Sequence, residues 1–195
     1  MTTTAPAPSK ITYTSANVDW DSFHRQFDEA VRDVRAHCGH DYPLYIGGQA
    51  VTSTAQPIID TSPIDTRVVL GKFATATAVH VDRAVSAAHA AQAEWGRRDW
   101  RERVATLRRA AESIRDRKFE LAAIMSLEVG KSRLESMGDA EESADLIDYY
   151  CQEMEDANGF VRKMAKVTPA TMAASTSPYQ GVMTNFESWL TWPRA

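Results

Sequence analysis

The sequence predicts an α-rich α+β chain: one amphipathic helix, a small antiparallel β region, and then three long helices in a row. Three observations predict it. Apolar residues recur at i, i+3, i+4 and i+7 over four separate stretches, the spacing that puts them on one helical face. A Gly47-Gly48 pair sits between short apolar runs, where the chain needs the positive φ of a tight hairpin. Glycine and proline divide the remaining segments into lengths suited to single elements.

The first helix spans Val18 to His37, with Trp20, Phe23, Phe27, Ala30, Val31 and Val34 on its apolar side and Gly39 placed to stop it. Tyr42 to Val51 reads as a hairpin centred on the glycine pair. Two extended pieces follow, Pro57 to Thr61 and Arg67 to Phe73, joined through the turn formers Ser62, Pro63, Ile64 and Asp65. From Thr77, a natural N-cap, the period becomes helical, with Val81, Ala84, Val85, Ala88, Ala91 and Trp95 on one face. A break at Gly96 to Asp99 leads into a second long helix from Trp100 to Leu127, interrupted near Lys118, with Val104, Leu107, Ala111, Ile114, Leu121 and Ile124 inward. The third runs from Ser132 to Asn158, carries Leu134, Ala140, Ala144, Ile147, Cys151 and Met154 inward, and stops at Asn158-Gly159.

Both ends differ from this body. Residues 1–17 read as a disordered tail, and Met1 to Lys10, rich in Thr, Ala and Pro, lack the basic-then-apolar order of a secretory signal. Thr168 to Thr184 shows neither period, and residues 165–195 are expected to be irregular, with Phe186, Trp189, Leu190 and Trp192 near the end. No internal repeat is visible.

The formal net charge of -4 and the mixing of signs give no electrostatic reason to bind nucleic acid or an anionic membrane. No apolar run reaches the eighteen or so residues of a membrane span, so no transmembrane helix is expected. Arg97, Arg98, Arg101, Arg103, Arg108 and Arg109 form one basic cluster, diluted by Asp99, Glu102 and Glu112, and read as a solvated helical face. Two cysteines, Cys38 and Cys151, are too far apart and too few for a disulfide framework; a reducing cytoplasm suits them.

Chemistry is sparse. Cys151 falls among the apolar positions of the third long helix and reads as a buried thiol. Cys38 lies at a helix carboxyl end, where the dipole disfavours a thiolate. His24, His37, His40, His80 and His89 never reach metal-ligand spacing with a cysteine or carboxylate, so no metal site is expected. Glu128-Val-Gly-Lys131 lacks the rest of a phosphate-loop pattern and reads as a turn between helices. Asp139, Glu141, Glu142 and Asp145 are explained as acidic residues near a helix start, favoured by the macrodipole. No Gly-x-Gly-x-x-Gly occurs, so a complete dinucleotide fold is not encoded here. The residues alone therefore nominate no catalytic, cofactor-binding or metal residue.

Local words in this order resemble the amino-terminal portion of the aldehyde dehydrogenase superfamily: Tyr45-Ile-Gly-Gly48, Asp60-Thr-Ser-Pro63, Val68-Val-Leu-Gly71, Val81-Asp-Arg-Ala-Val-Ser-Ala-Ala88 leading to Trp95, Arg101-Glu-Arg103, and Glu128-Val-Gly-Lys131. The helix ahead of Tyr42-Pro-Leu-Tyr-Ile-Gly-Gly48 and the segment Ala144-Asp-Leu-Ile-Asp-Tyr-Tyr150 look most like the 1-pyrroline-5-carboxylate dehydrogenase branch. The resemblance covers residues 18–164, which it makes the first part of the cofactor domain of an α/β fold.

It implies an enzyme that oxidises glutamate γ-semialdehyde to glutamate in proline degradation with NAD: a cysteine thiolate attacks the aldehyde, hydride leaves to the nicotinamide, and a glutamate-activated water hydrolyses the thioester. In the family those groups lie downstream of the matched words, so none is placed on a residue of this chain, and the chain alone is expected to be inactive. After Ala165 the words stop, although Ser177-Pro-Tyr-Gln-Gly-Val182 is faintly similar to an expected Pro-Tyr-Gly-Val; a frameshift, a premature stop or a degraded gene would each give that pattern. Two other readings stay open: a self-contained helical interaction domain, and an aldehyde dehydrogenase of another substrate class. Association with full-length subunits, or with copies of itself, is left undecided, as is NAD against NADP.

Overall fold

The computed structural model describes residues 18–163 and 174–176. The tail expected over residues 1–17 lies outside the described residues, as does most of the stretch from 165 to 195. The element order is α1 (Trp20–Ala36), β1 (His40–Tyr42), β2 (Leu44–Ile46), β3 (Gln49–Val51), β4 (Ile58–Thr61), β5 (Val69–Phe73), α2 (Ala78–Arg97), α3 (Trp100–Asp116), α4 (Lys118–Val129), α5 (Arg133–Asp156), a 3-10 turn (Asn158–Phe160), β6 (Val161–Lys163) and β7 (Ala174–Thr176). The predicted α-rich architecture with small sheets is what the chain adopts. A three-stranded sheet has the order β1-β5-β4, while β2-β3 and β6-β7 are two-stranded.

The chain divides into two compact units. Among the described residues the first contains 18–40, 59–72 and 109–147, and the second 41–58, 73–108, 148–163 and 174–176.

In the first unit, Asp19 caps α1 by accepting a hydrogen bond from the Ser22 backbone N–H at 3.0 Å, the role an N-cap carboxylate plays at an unsatisfied helix end. The helix then buries Phe23 and Phe27 against Ala122 of α4 and Met137 of α5, with Val18, Val31, Phe119 and Leu134 packed around them. Ala122, with its small side chain, packs in the same cluster as the two phenylalanine rings. Arg133 ties the same surface together, donating to Asp28 at 2.6 Å and lying 5.2 Å from the centre of the Phe27 ring. Ser62, almost wholly buried, donates its hydroxyl to the Leu127 carbonyl at 2.6 Å, so the turn between β4 and β5 is bonded to the end of α4.

The interruption expected near Lys118 in the helix from Trp100 to Leu127 is present; at Arg117 the backbone leaves helical geometry with φ -103° and ψ 15°. Its guanidinium then forks onto Glu120 at 2.8 and 2.7 Å. The break carries Lys118 inward. Asp139, Glu141 and Asp145 do not lie at a helix start, because α5 begins at Arg133; cations rather than the macrodipole account for them. Asp139 pairs with Lys131, Asp145 with Arg115 at 3.2 Å, and Glu141 with Lys118 at 2.7 Å. The N-terminal turn of α5 is instead closed by Ser132 and Glu135, whose carboxylate accepts from the Ser132 N–H at 3.0 Å and hydroxyl at 2.6 Å.

In the second unit the predicted hairpin forms with Ile46 opposite Gln49, leaving Gly47 and Gly48 as a two-residue turn at φ +60° and +76°. Two successive positive φ values select glycine and match the twist of the strands they join. Thr77 precedes α2, and its backbone N–H donates to Nδ1 of His80 at 3.0 Å. No residue of α2 is buried; Val81 and Val85 are 53% and 52% exposed. Val104 and Leu107 of α3 and Cys151 and Met154 of α5 are buried. After α5 the chain turns at Asn158, Gly159 and Phe160, all with positive φ, and enters β6. Strand β7 pairs antiparallel with β6, Val161 opposite Thr176, so a short piece of the stretch expected to be irregular is extended and bonded. Three residues are too few to show a period of two in sequence.

Candidate functional site

Of the two thiols, neither is placed to react. The Cys38 thiol donates to the Val34 carbonyl at 3.3 Å, and burial pushes its pKa up against a smaller opposing pull from the Arg35 charge. Cys151 is fully buried, 3.9 Å from the Val104 carbonyl, and burial raises it as well, opposed by Arg108. A nucleophilic cysteine needs the reverse, an accessible sulfur whose thiolate is favoured.

Two histidines, His37 and His80, serve the backbone. Nδ1 of His37 lies 2.7 Å from the Asp33 carbonyl and His80 closes the start of α2, while His24 faces Arg133 at 3.5 Å. Among the described residues no group of three or more His, Cys, Asp or Glu side chains converges as a metal site would require.

Glu128-Val-Gly-Lys131 is a turn. Gly130 ends α4 in the left-handed conformation at φ +78°, its N–H donating to the Ser126 carbonyl at 3.1 Å. Lys131 is engaged by Asp139. The Glu128 carboxyl is raised above its ordinary range, first by burial and then by the nearby Asp60 carboxylate.

The basic cluster is only partly a solvated face. Arg97, Arg98, Arg101 and Arg109 are exposed, but Arg103 is 8% exposed with its Nε buried and unpartnered. Arg108 is held by Asp148 at 3.1 Å and Glu155 at 2.6 Å. Those carboxylates engage its Nε, Nη1 and Nη2 and neutralise its charge locally. Beside it runs an open groove of about 400 Å³ lined by Trp100, Arg101, Val104, Ala105, Arg108 and Glu155. The Arg101 guanidinium lies 4.2 Å from the centre of the Trp100 ring, so the groove mouth is an aromatic plate under a cation. It sets no nucleophile against a base.

What the sequence did not indicate is the burial and pairing of a set of polar groups: Lys118 with Glu141, the Ser126 and Ser136 hydroxyls 2.9 Å apart, and Ser62. Each joins one element to another, and their work is structural. A dinucleotide needs a strand that leads through a glycine-rich turn into a helix amino terminus. No such turn joins a strand to a helix among the described residues, so they do not by themselves fit that group.

Comparison with known proteins gives this arrangement a context. Residues 50–190 match the aldehyde dehydrogenase family, a stretch that runs past Met164, where the resemblance read from the sequence ends. A 1-pyrroline-5-carboxylate dehydrogenase 2 of Bacillus subtilis (strain 168) is 37% identical over 128 residues, 66% of this chain and 25% of the relative. The 1-pyrroline-5-carboxylate dehydrogenase of Staphylococcus epidermidis is 36% identical over 129 residues, 66% of this chain and 25% of its own length. A 1-pyrroline-5-carboxylate dehydrogenase structure from Thermus with bound NAD superimposes with a TM-score of 0.70 and 31% identity, covering 86% of this chain and 31% of that one. The chain thus spans about a quarter of the length of the curated relatives it matches.

Proposed function

Because the chain belongs to the aldehyde dehydrogenase family, we propose that it supplies the amino-terminal part of an NAD-dependent 1-pyrroline-5-carboxylate dehydrogenase, the enzyme that oxidises glutamate γ-semialdehyde to glutamate. The observation that carries this reading is the 37% identity to a relative of that name over two thirds of the chain. The NAD-bound Thermus structure supports the choice of cofactor. In such an enzyme the cofactor accepts hydride from the substrate. The described residues are assigned no step of that reaction; they build the helical layer and the small sheets on which a site is mounted.

Two further observations support the division of labour. Neither thiol is activated, as shown above, and α2 keeps a whole apolar side uncovered, the state of a helix that belongs to a larger fold. The 195-residue chain by itself is therefore proposed to be inactive. Its two unpaired cysteines suit a reducing compartment such as the cytoplasm, and no helix among the described residues is long and apolar enough to cross a membrane. Association with full-length subunits, or with other copies of the chain, is proposed as the use of the surfaces left open.

A chimaera tests the identity. Residues 50–163 replace the equivalent segment of the Bacillus subtilis relative, and NADH formation is followed with glutamate γ-semialdehyde and, separately, with simple aliphatic aldehydes. Activity that prefers the semialdehyde is expected. A folded, soluble chimaera that oxidises only other aldehydes would move the chain to another branch of the family, and one without any activity would remove the proposal.

A further inference from the structure

We draw no further inference here: the strongest candidate, the exposed apolar face of α2 around Val81, Ala84, Val85 and Ala88, carries nothing because nothing in the structure shows what covers it.

Discussion

Lys118, the first residue of α4, donates its ammonium to Oε1 of Glu141 in the middle of α5 at 2.7 Å, with the two side chains 9% and 2% exposed. A charge pair taken so far out of water gains little net stability from its attraction, yet losing one member leaves the other charge in a site that cannot hydrate it. Glu141→Ala should therefore destabilise the chain by about 3 kcal/mol or more, whereas the double change Lys118→Met with Glu141→Leu should cost much less. Urea denaturation of the three proteins decides it. Equal losses in the single and double variants would mean that packing rather than charge sets the cost.

Burial separates α2 from α3 sharply, and substitution should follow it. Leu107, 4% exposed, should lose about 2–5 kcal/mol on truncation to alanine. Val85, 52% exposed, should change stability by no more than about 0.5 kcal/mol on the same truncation. A large loss at Val85, measured by thermal melting, would show that the α2 face is covered in solution.

Gly159 stands at φ +71°, and a Cβ there would collide with the Trp100 indole. Gly48 has a similar φ of +76° but open space around it. Gly48→Ala should cost about 1–2 kcal/mol for backbone strain alone, and Gly159→Ala should cost more. Adding Trp100→Ala to Gly159→Ala should recover part of the difference, because it removes the clash and not the strain. Stability curves in which the two alanine variants are equal would contradict the close contact.

Glu128 gives a pH dependence. Burial, and then Asp60, raise its carboxyl above the ordinary value. A carboxyl raised in the folded state contributes stability when protonated; the contribution is complete below the unfolded value, about 4.3, and disappears as pH rises through the folded value. Glu128→Gln should thus melt higher than the parent near neutral pH and lose that advantage below about pH 4. An advantage that persisted unchanged in acid would have another origin.

Much of this fold is legible because its elements carry strong local signals. The α1 stripe, the Gly47-Gly48 turn, Thr77 at the start of α2 and the stop at Asn158-Gly159 are each fixed within a few residues of sequence. The pairing of Lys118 with Glu141 was not legible, because Lys118 reads only as a helix break and Glu141 as one of several acidic residues near a helix start, and only the partner helix joins them. Glu141 does fall on the line of Leu134, Met137 and Ala144, and that placement was the available signal. The fate of Arg108 was hidden for the same reason: a run of arginines reads as solvated until α5 supplies Asp148 and Glu155. What pointed to a function in the sequence was the set of short words that resemble one family.

The most direct test of the account is an assay of the purified 195-residue chain with NAD and glutamate γ-semialdehyde, folding being verified by circular dichroism and a full-length relative serving as the positive control. The account predicts no NADH above the protein-free rate. Sustained NADH formation by the chain alone would contradict it, and would mean that a nucleophile and a dinucleotide site are assembled within these residues.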